Sequence, residues 1–282
     1  MTNLKTLLPA VVCATILIAS CGNSSEHTET VSDTTVVTTS TAKPTIALAD
    51  VSQSPEFANA QLNIGNVTAT PQGTDSVKVT FNFNVKNYEL KKQTDDAAGK
   101  LCNNSEKGQH IHFIMDNTPY VALYEPKHEV VLPKNGDHNL MVFLSRSYHE
   151  SLKNKGAAQV YSFKLTDGKL QKTETPKTPM VFYSRPKGDY LGKDTENLLF
   201  DYYVWNSNLS ADGYKVKAMI KGMDVDTTFV MSDWKAQFLK GMPMGKSSIT
   251  LTLVDKDGNK VAGPETEVTR EFNLSKEEPM TK

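Results

Sequence analysis

The chain has 282 residues, of which 38% are hydrophobic, and it carries 31 basic against 32 acidic residues for a formal net charge of −1. This balance offers no strongly basic surface, so we expect no nucleic-acid partner. The length suits two domains of roughly 100 residues each rather than a single small one.

The N-terminus has the three regions of a bacterial lipoprotein signal peptide. Lys5 precedes an apolar run over residues 7–18, and two small residues then lead into Cys21, which completes a lipobox over residues 17–21. The run is shorter than the ~20 apolar residues that a membrane-spanning helix needs. We predict that residues 1–20 are removed and that the Cys21 thiol carries lipid. An ordinary secretory signal with a chance cysteine is the alternative.

Residues 21–54 are predicted to form a disordered tether between the lipid and the folded part. Up to about Asp50 this segment is rich in Ser, Thr, Asp, Glu and Val, and it contains no aromatic residue. Such a composition cannot bury enough apolar surface to offset the entropy of ordering the chain. The last residues, 277–282, are predicted to be disordered as well.

From residue 62 onward, short alternating runs predict β-strands with one buried face. The clearest run is Val77–Val85, which places valine and phenylalanine on one side and lysine and asparagine on the other. Further runs of this kind are Ile111–Met115, Leu140–Leu144, Gln159–Leu165, Leu198–Val204, Val216–Ile220 and Ile249–Val254. Polar turn clusters separate the runs. At most two turns of helix are predicted, between Tyr148 and Gly156.

Three blocks of sequence recur in the same order in the two halves of the chain. Residues 81–90 match 200–209, residues 108–115 match 213–220, and residues 132–144 match 239–253. A repeat of roughly 110 residues has the size of a β-sandwich domain. We therefore predict an all-β protein with two tandem immunoglobulin-like β-sandwich domains. Their predicted bounds are 55–170 and 181–276, with a proline-containing linker over 171–180.

His110 and His112 form the one constellation that resembles a metal site. Residues i and i+2 of a strand face the same way about 7 Å apart, so both imidazoles could reach one ion. His138 is predicted as the third ligand, and His128 and His149 are further possible partners. Neutral imidazoles suit copper or zinc.

The internal repeat gives an alternative interpretation of these two histidines. It places Lys215 and Lys217 where the first half has His110 and His112. Because lysine is seldom buried, this interpretation predicts that the histidine face is solvated, with Ile111 turned inward. Histidines on an exposed strand need no ligand.

Ser145, Arg146 and Ser147 form a polar group directly after a predicted strand. They could bind an anion, since loops at the ends of sandwich strands often recognise ligands. The alternative is a capped helical turn, because Ser147 and Glu150 have the spacing of a capping box.

No catalytic motif is recognised in the sequence. The chain has no G-x-S-x-G elbow, phosphate-binding loop, H-E-x-x-H or dinucleotide fingerprint, so we do not expect an enzyme. A hydrolytic enzyme with an unrecognised site is a further alternative. Cys102 is the one thiol left after processing, and we interpret it as incidental; a reactive or intermolecularly paired thiol is the competing interpretation.

The segments 108–117, 132–140 and 143–151 resemble those of poorly characterised Bacteroidota envelope lipoproteins, some labelled phosphopeptide-binding, which share a G-x-H-x-H strand and an L-P-x-G-x-H hairpin. The resemblance implies a membrane-anchored, noncatalytic protein. Gly22 after Cys21 resembles the pattern that permits sorting to the outer membrane. The expected function is a module that binds a protein or small-molecule ligand, with copper or zinc as the one cofactor considered.

Overall fold

The computed structural model describes residues 45–276, and these belong to one compact unit. The predicted signal peptide, Cys21 and the tail 277–282 lie outside this range. The fold is all-β, with helical turns limited to α1 (Ala97–Lys100) and the 3₁₀ turns Lys155–Ala157 and Gly192–Thr195. In the described range, no helix is long and apolar enough to cross a bilayer.

The first sandwich stacks a three-stranded sheet on a five-stranded sheet. Its strands are β2 (Gln61–Gln72), β3 (Ser76–Lys86), β4 (His110–Met115), β5 (Val121–Leu123), β6 (Lys127–Pro133), β7 (Gly136–Ser145), β8 (Ala158–Thr166) and β9 (Lys169–Lys172). The sheet orders are β2-β3-β6 and β5-β4-β7-β8-β9. The predicted phase of β3 is confirmed, since Val77, Val79, Phe81 and Phe83 are buried.

The second sandwich repeats this arrangement. Its strands are β10 (Met180–Arg185), β11 (Gly188–Leu191), β12 (Leu198–Trp205), β13 (Lys215–Gly222), β14 (Val225–Met231), β15 (Gln237–Lys240), β16 (Gly245–Val254) and β17 (Glu267–Ser275), joined by β1 (Ala47–Asp50). The sheet orders are β1-β15-β12-β10 and β11-β17-β16-β13-β14. The order β5-β4-β7-β8 thus matches β14-β13-β16-β17, and β2-β3-β6 matches β10-β12-β15. The three repeated sequence blocks fall on equivalent strands, as predicted.

Strand β1 corrects the predicted tether. The prediction that residues 21–54 are disordered is wrong for Ala47–Asp50, which pair antiparallel with β15 of the second sandwich. Ile46 is buried in the core of that sandwich and Leu48 packs against it. Backbone hydrogen bonds to β15 and the burial of these apolar side chains stabilise the strand, although the surrounding segment is polar. The tether before residue 45 lies outside the described residues.

The two sandwiches pack face to face through an apolar interface cluster. Its buried members are Ile114, Tyr120, Met141, Phe143, Ala158 and Val160 of the first sandwich and Met180, Phe182 and Tyr203 of the second. An ion pair adds to it, because Lys153 Nζ lies 2.8 Å from Asp201 Oδ1. The outer face of the sheet formed by β4, β7 and β8 is therefore covered by β10 and β12.

The segment after β7 is a tight turn and not a helix. The Arg146 N–H donates to Glu150 O and the His149 N–H to Arg146 O, both at 2.9 Å. His149 has φ of 71°, in the left-handed region, which a helix excludes. The predicted helix over Tyr148–Gly156 and the Ser147 capping box are thus wrong; the buried Tyr148 side chain and this turn determine the local backbone instead.

Candidate metal centre

Strand β4 presents its two histidines to the interface between the sandwiches. Ile111 and Phe113 point into the core of the first sandwich, as the alternation predicts. His110 and His112 lie on the opposite face, and both are fully buried. The expectation of a solvated histidine face is therefore wrong, because the second sandwich covers the side of the sheet that would otherwise meet water.

Three imidazoles converge at this place, and we call them the trihistidine centre: His110, His112 and His149. Their candidate ligand atoms all lie within 4.8 Å of one another. His110 Nε2 is 3.0 Å from His112 Nε2 and 3.1 Å from His149 Nδ1. The left-handed turn after β7 brings His149 back over the end of β4, which supplies the third nitrogen.

The structure places the other candidate histidines elsewhere. His138 Nδ1 lies 2.7 Å from Asp116 Oδ2, so the predicted ligand set with His138 is wrong. The prediction fails because the two histidines lie at opposite ends of β7. His138 is near the first residue of this strand, whereas His110 pairs with Ser145, its last residue. His128 packs its ring on Phe113, 4.7 Å between centroids, and is likewise outside the centre.

The hydrogen bonds around the centre orient its lone pairs inward. His110 Nδ1 donates to Gly108 O at 2.8 Å, so the Nε2 of a neutral His110 carries a lone pair. His112 Nδ1 lies 3.1 Å from Ser184 Oγ, a hydroxyl that can donate or accept. Such outer partners fix the tautomer of metal-binding histidines. Ser184 belongs to β10, so the second sandwich helps to orient a ligand of the first.

The inner contacts can accommodate a bound cation when Tyr120 donates its hydroxyl proton to His149. The Tyr120 hydroxyl lies 3.2 Å from His149 Nδ1 and can donate to it. The lone pairs of His149 Nδ1 and His110 Nε2 then face each other at 3.1 Å. A tetrahedral ion with nitrogens at 2.0–2.1 Å would hold them about 3.4 Å apart. The two shorter separations need only a small expansion to accept it, and the nitrogens of His112 and His149 lie within 4.8 Å of each other.

Burial keeps the three rings neutral at physiological pH. It lowers the pKa of His110 from 6.5 to about 4, and it holds the pKa values of His112 and His149 well below the ordinary range. The positive charges of Arg185 and Lys187 lower all three further. Neutral imidazole is the form that binds metal.

The metal-free protein should lose stability as the pH falls from 6.5 to about 4. The His110 pKa is about 4 when folded and near 6.5 when unfolded, so between these values the unfolded chain binds more protons. The stabilising contribution is complete above pH 6.5 and declines below it, by about 3 kcal/mol for His110 alone. Urea unfolding at several pH values measures this slope.

The matched variant for this measurement is His110→Phe, which keeps an aromatic ring on β4 and removes the titrating nitrogens. Its unfolding free energy should fall less steeply with acid between pH 6.5 and 5 than that of the wild type. Equal slopes in the two proteins would show that His110 is not held neutral by burial.

The predicted anion-binding residues after β7, Ser145, Arg146 and Ser147, form contacts with other parts of the protein. Arg146 Nη2 donates to Pro55 O at 2.7 Å, and Nη1 lies 3.5 Å from Glu150 Oε2. Ser145 and Ser147 are fully buried, and the Ser147 Oγ accepts from the Thr94 N–H. These three side chains hold the turn that carries His149. Ser145 and Ser147 are closed off from solvent, whereas Arg146 also lines an open cleft of about 340 Å³ together with Glu150 and Lys153.

Cys102 has the properties of an unreactive thiol. It is partly buried against the small apolar cluster of Leu199 and Phe238. Burial raises its pKa to about 12, so the thiol is protonated at neutral pH.

The chain matches no family model and no curated protein sequence. Among solved structures, it is similar to the fibronectin(III)-like modules of CbhA from Clostridium thermocellum, with 10% identity, coverage of 77% of this chain and 95% of that one, and a TM-score of 0.26. It is also similar to the FN1–FN3 domains of chicken CNTN1, with 10% identity, 77% and 68% coverage, and a TM-score of 0.24.

Proposed function

We propose that this protein is a noncatalytic metal-binding protein of the cell envelope, and that its trihistidine centre holds one zinc or copper ion. The observation that carries the proposal is the convergence of three buried imidazole nitrogens at the sandwich interface. His110 Nε2 lies 3.0 Å from His112 Nε2 and 3.1 Å from His149 Nδ1. Two of the three rings have their outer nitrogens hydrogen-bonded, which points the inner ones at a common centre.

The donor set and the surrounding charges favour zinc or copper over harder cations. Magnesium and calcium take oxygen ligands, whereas imidazole suits zinc and copper. Arg185 and Lys187 repel any cation that is held by charge alone, and both are close enough to lower the histidine pKa values. An ion bound here must gain its energy from direct bonds to nitrogen, as zinc and copper do.

A route from solvent to the centre passes Tyr124. This residue lines an open cleft of about 680 Å³ beside β5. Its ring also packs on His110, with 5.2 Å between centroids. Tyr124 thus lies between the cleft and the buried imidazoles.

The envelope location is part of the same proposal. It is supported by the lipobox that ends at Cys21 and by Gly22, which indicate a lipid anchor and sorting to the outer membrane. A tether over residues 21–44 would leave the two sandwiches at the membrane surface, in the periplasm or outside the cell. The absence of a recognised catalytic motif supports a binding role over a hydrolytic one.

Metal titration of the purified protein tests this function. The wild type should take up one equivalent of zinc or copper(II), measured by calorimetry and by metal content after dialysis. His112→Phe should abolish the uptake, because the ring can still stack on Tyr120 while both ring nitrogens are lost.

The matched control is His128→Phe, which makes the same change at a histidine outside the centre and should leave one equivalent bound. Absence of uptake by the wild type, or undiminished uptake by His112→Phe, would show that the trihistidine centre does not hold a metal.

A further inference from the structure

The hydroxyl oxygen of Tyr120 lies next to the trihistidine centre. Tyr120 is buried between β4 and β5, and its ring stacks on His112 with 3.7 Å between centroids and 8° between planes. Its hydroxyl oxygen is 3.2 Å from His149 Nδ1. This separation is close to the 3.0 and 3.1 Å between the nitrogens, so the phenol oxygen continues the row of contacts that joins the three imidazoles.

Two cations surround this tyrosine without a counter-charge. The Arg185 guanidinium lies 5.4 Å and Lys187 Nζ 4.0 Å from the centre of the Tyr120 ring. Arg185 is only 7% exposed. Among the described residues, neither cation forms an ion pair with an acidic side chain, and Arg185 Nε has no hydrogen-bond partner. Both donate hydrogen bonds to neutral oxygens, Arg185 to the Tyr190 hydroxyl and Lys187 to the Tyr120 carbonyl, but a buried charge without a counter-charge is costly, so an anion at this position would stabilise them.

The position of Arg185 results from an irregularity in β10. The pairing of β10 with β12 shifts register between Tyr183 and Arg185, which leaves Ser184 unpaired in the ladder. Such bulges redirect side chains near functional sites. Ser184 thereby contacts His112, and the following Arg185 lies beside Tyr120 and donates to Tyr190 OH at 2.8 Å.

We propose that Tyr120 is the fourth ligand of the centre and binds copper(II) as a phenolate through its oxygen. This inference rests on the proposed function. On binding, the O–H bond of Tyr120 breaks, an oxygen–copper bond forms and the proton leaves to solvent, with no change of oxidation state. The phenolate then supplies the negative charge that Arg185 and Lys187 lack.

The arrangement makes the phenolate dependent on the ion. In the metal-free protein the Tyr120 hydroxyl is hydrogen-bonded to His149, and the ion would take the place of the hydroxyl proton. Four protein ligands leave no open position, which is the pattern of sites that hold a metal and not of sites that use it catalytically. The inference thus deepens the binding role to that of a closed, four-coordinate copper site.

Visible absorption of the copper(II)-loaded protein tests the assignment. Phenolate bound to copper(II) gives a charge-transfer band that imidazole and water ligands do not. The wild type should show this band at one equivalent. Tyr120→Phe keeps the stacked ring, removes only the oxygen, and should lose the band together with at least about tenfold in copper affinity. Tyr161→Phe is the matched control, since Tyr161 packs on Phe81 in the core of the first sandwich, outside the centre, and its variant should leave the band unchanged.

The outcomes separate this inference from the proposed function. One equivalent of copper without the band, or the same spectrum in Tyr120→Phe, overturns the role of Tyr120 and leaves the trihistidine site standing. Failure of the wild type to bind copper(II), with one equivalent of zinc still taken up, likewise overturns the role of Tyr120 alone. Failure to bind either ion overturns both.

Discussion

Replacing Asp201 with alanine is expected to lower the free energy of unfolding by about 3–5 kcal/mol, the usual cost of removing one partner of a buried ion pair. Asp201 is fully buried, and its carboxylate accepts from Lys153 Nζ at 2.8 Å and from the Ser151 N–H at 2.9 Å. Both donors belong to the first sandwich, while Asp201 belongs to the second. The substitution leaves Lys153 without its counter-charge and the Ser151 amide without this acceptor at the interface.

Equilibrium unfolding in guanidinium chloride measures this loss. Glu129→Ala is the control, because Glu129 and Lys78 form an exposed ion pair at 3.3 Å, where the expected change is about 0–1 kcal/mol. Similar small losses for both variants would mean that Asp201 does not connect the two sandwiches.

The second large effect is expected for Phe143→Ala, with a loss of about 3–5 kcal/mol in unfolding free energy. Phe143 is fully buried in the interface cluster, stacked on Tyr203 at 5.0 Å and 4.9 Å from His112 between ring centroids. The cavity would remove packing from both sandwiches. It would also loosen His112, so the variant should bind zinc more weakly than the wild type.

Thermal unfolding with and without zinc gives both quantities from one sample series. Val131→Ala is the comparison, since Val131 is an exposed β-strand residue and its truncation should change stability by at most about 0.5 kcal/mol. A Phe143→Ala protein as stable as Val131→Ala would contradict the packing of the sandwiches through this cluster.

The strands could be predicted because their apolar residues alternate with a period of two. Val77–Val85 shows this, and the structure buries the predicted face of β3. The sequence of β7 also contains a signal that its outer face is covered, which the period-two alternation does not reveal. Leu140–Leu144 is a continuous apolar run, which indicates a strand buried on both sides. This run carries the sequence signal of the interface, whereas the comparison with Lys215 and Lys217 led to the expectation of a solvated face.

The candidate site was predictable only in part. The spacing of His110 and His112 determines that both rings share one face of a strand, and this much follows from sequence. The identity of the third ligand depends on which of the two histidine-bearing turns lies at the same end of the sheet as His110. The sequence does not show this, so His149 could be considered but not chosen over His138. Tyr120 gave no local signal, because its approach to His149 is created by tertiary packing.

Strand β1 shows a further limit of composition. Ala47–Asp50 lies in a polar segment that predicts disorder, yet it completes a sheet of the second sandwich before the chain enters the first. An edge strand gains most of its stability from the neighbour's backbone groups and a few apolar contacts. Composition averaged over some 30 residues does not detect it.

Anomalous X-ray diffraction from crystals of the zinc-loaded protein tests the central claim, that a metal is held between the sandwiches by three histidines. We predict one strong zinc peak about 2.0–2.1 Å from His110 Nε2, His112 Nε2 and His149 Nδ1. A zinc peak at His138 and Asp116 alone, or no peak between the three rings, would contradict the account.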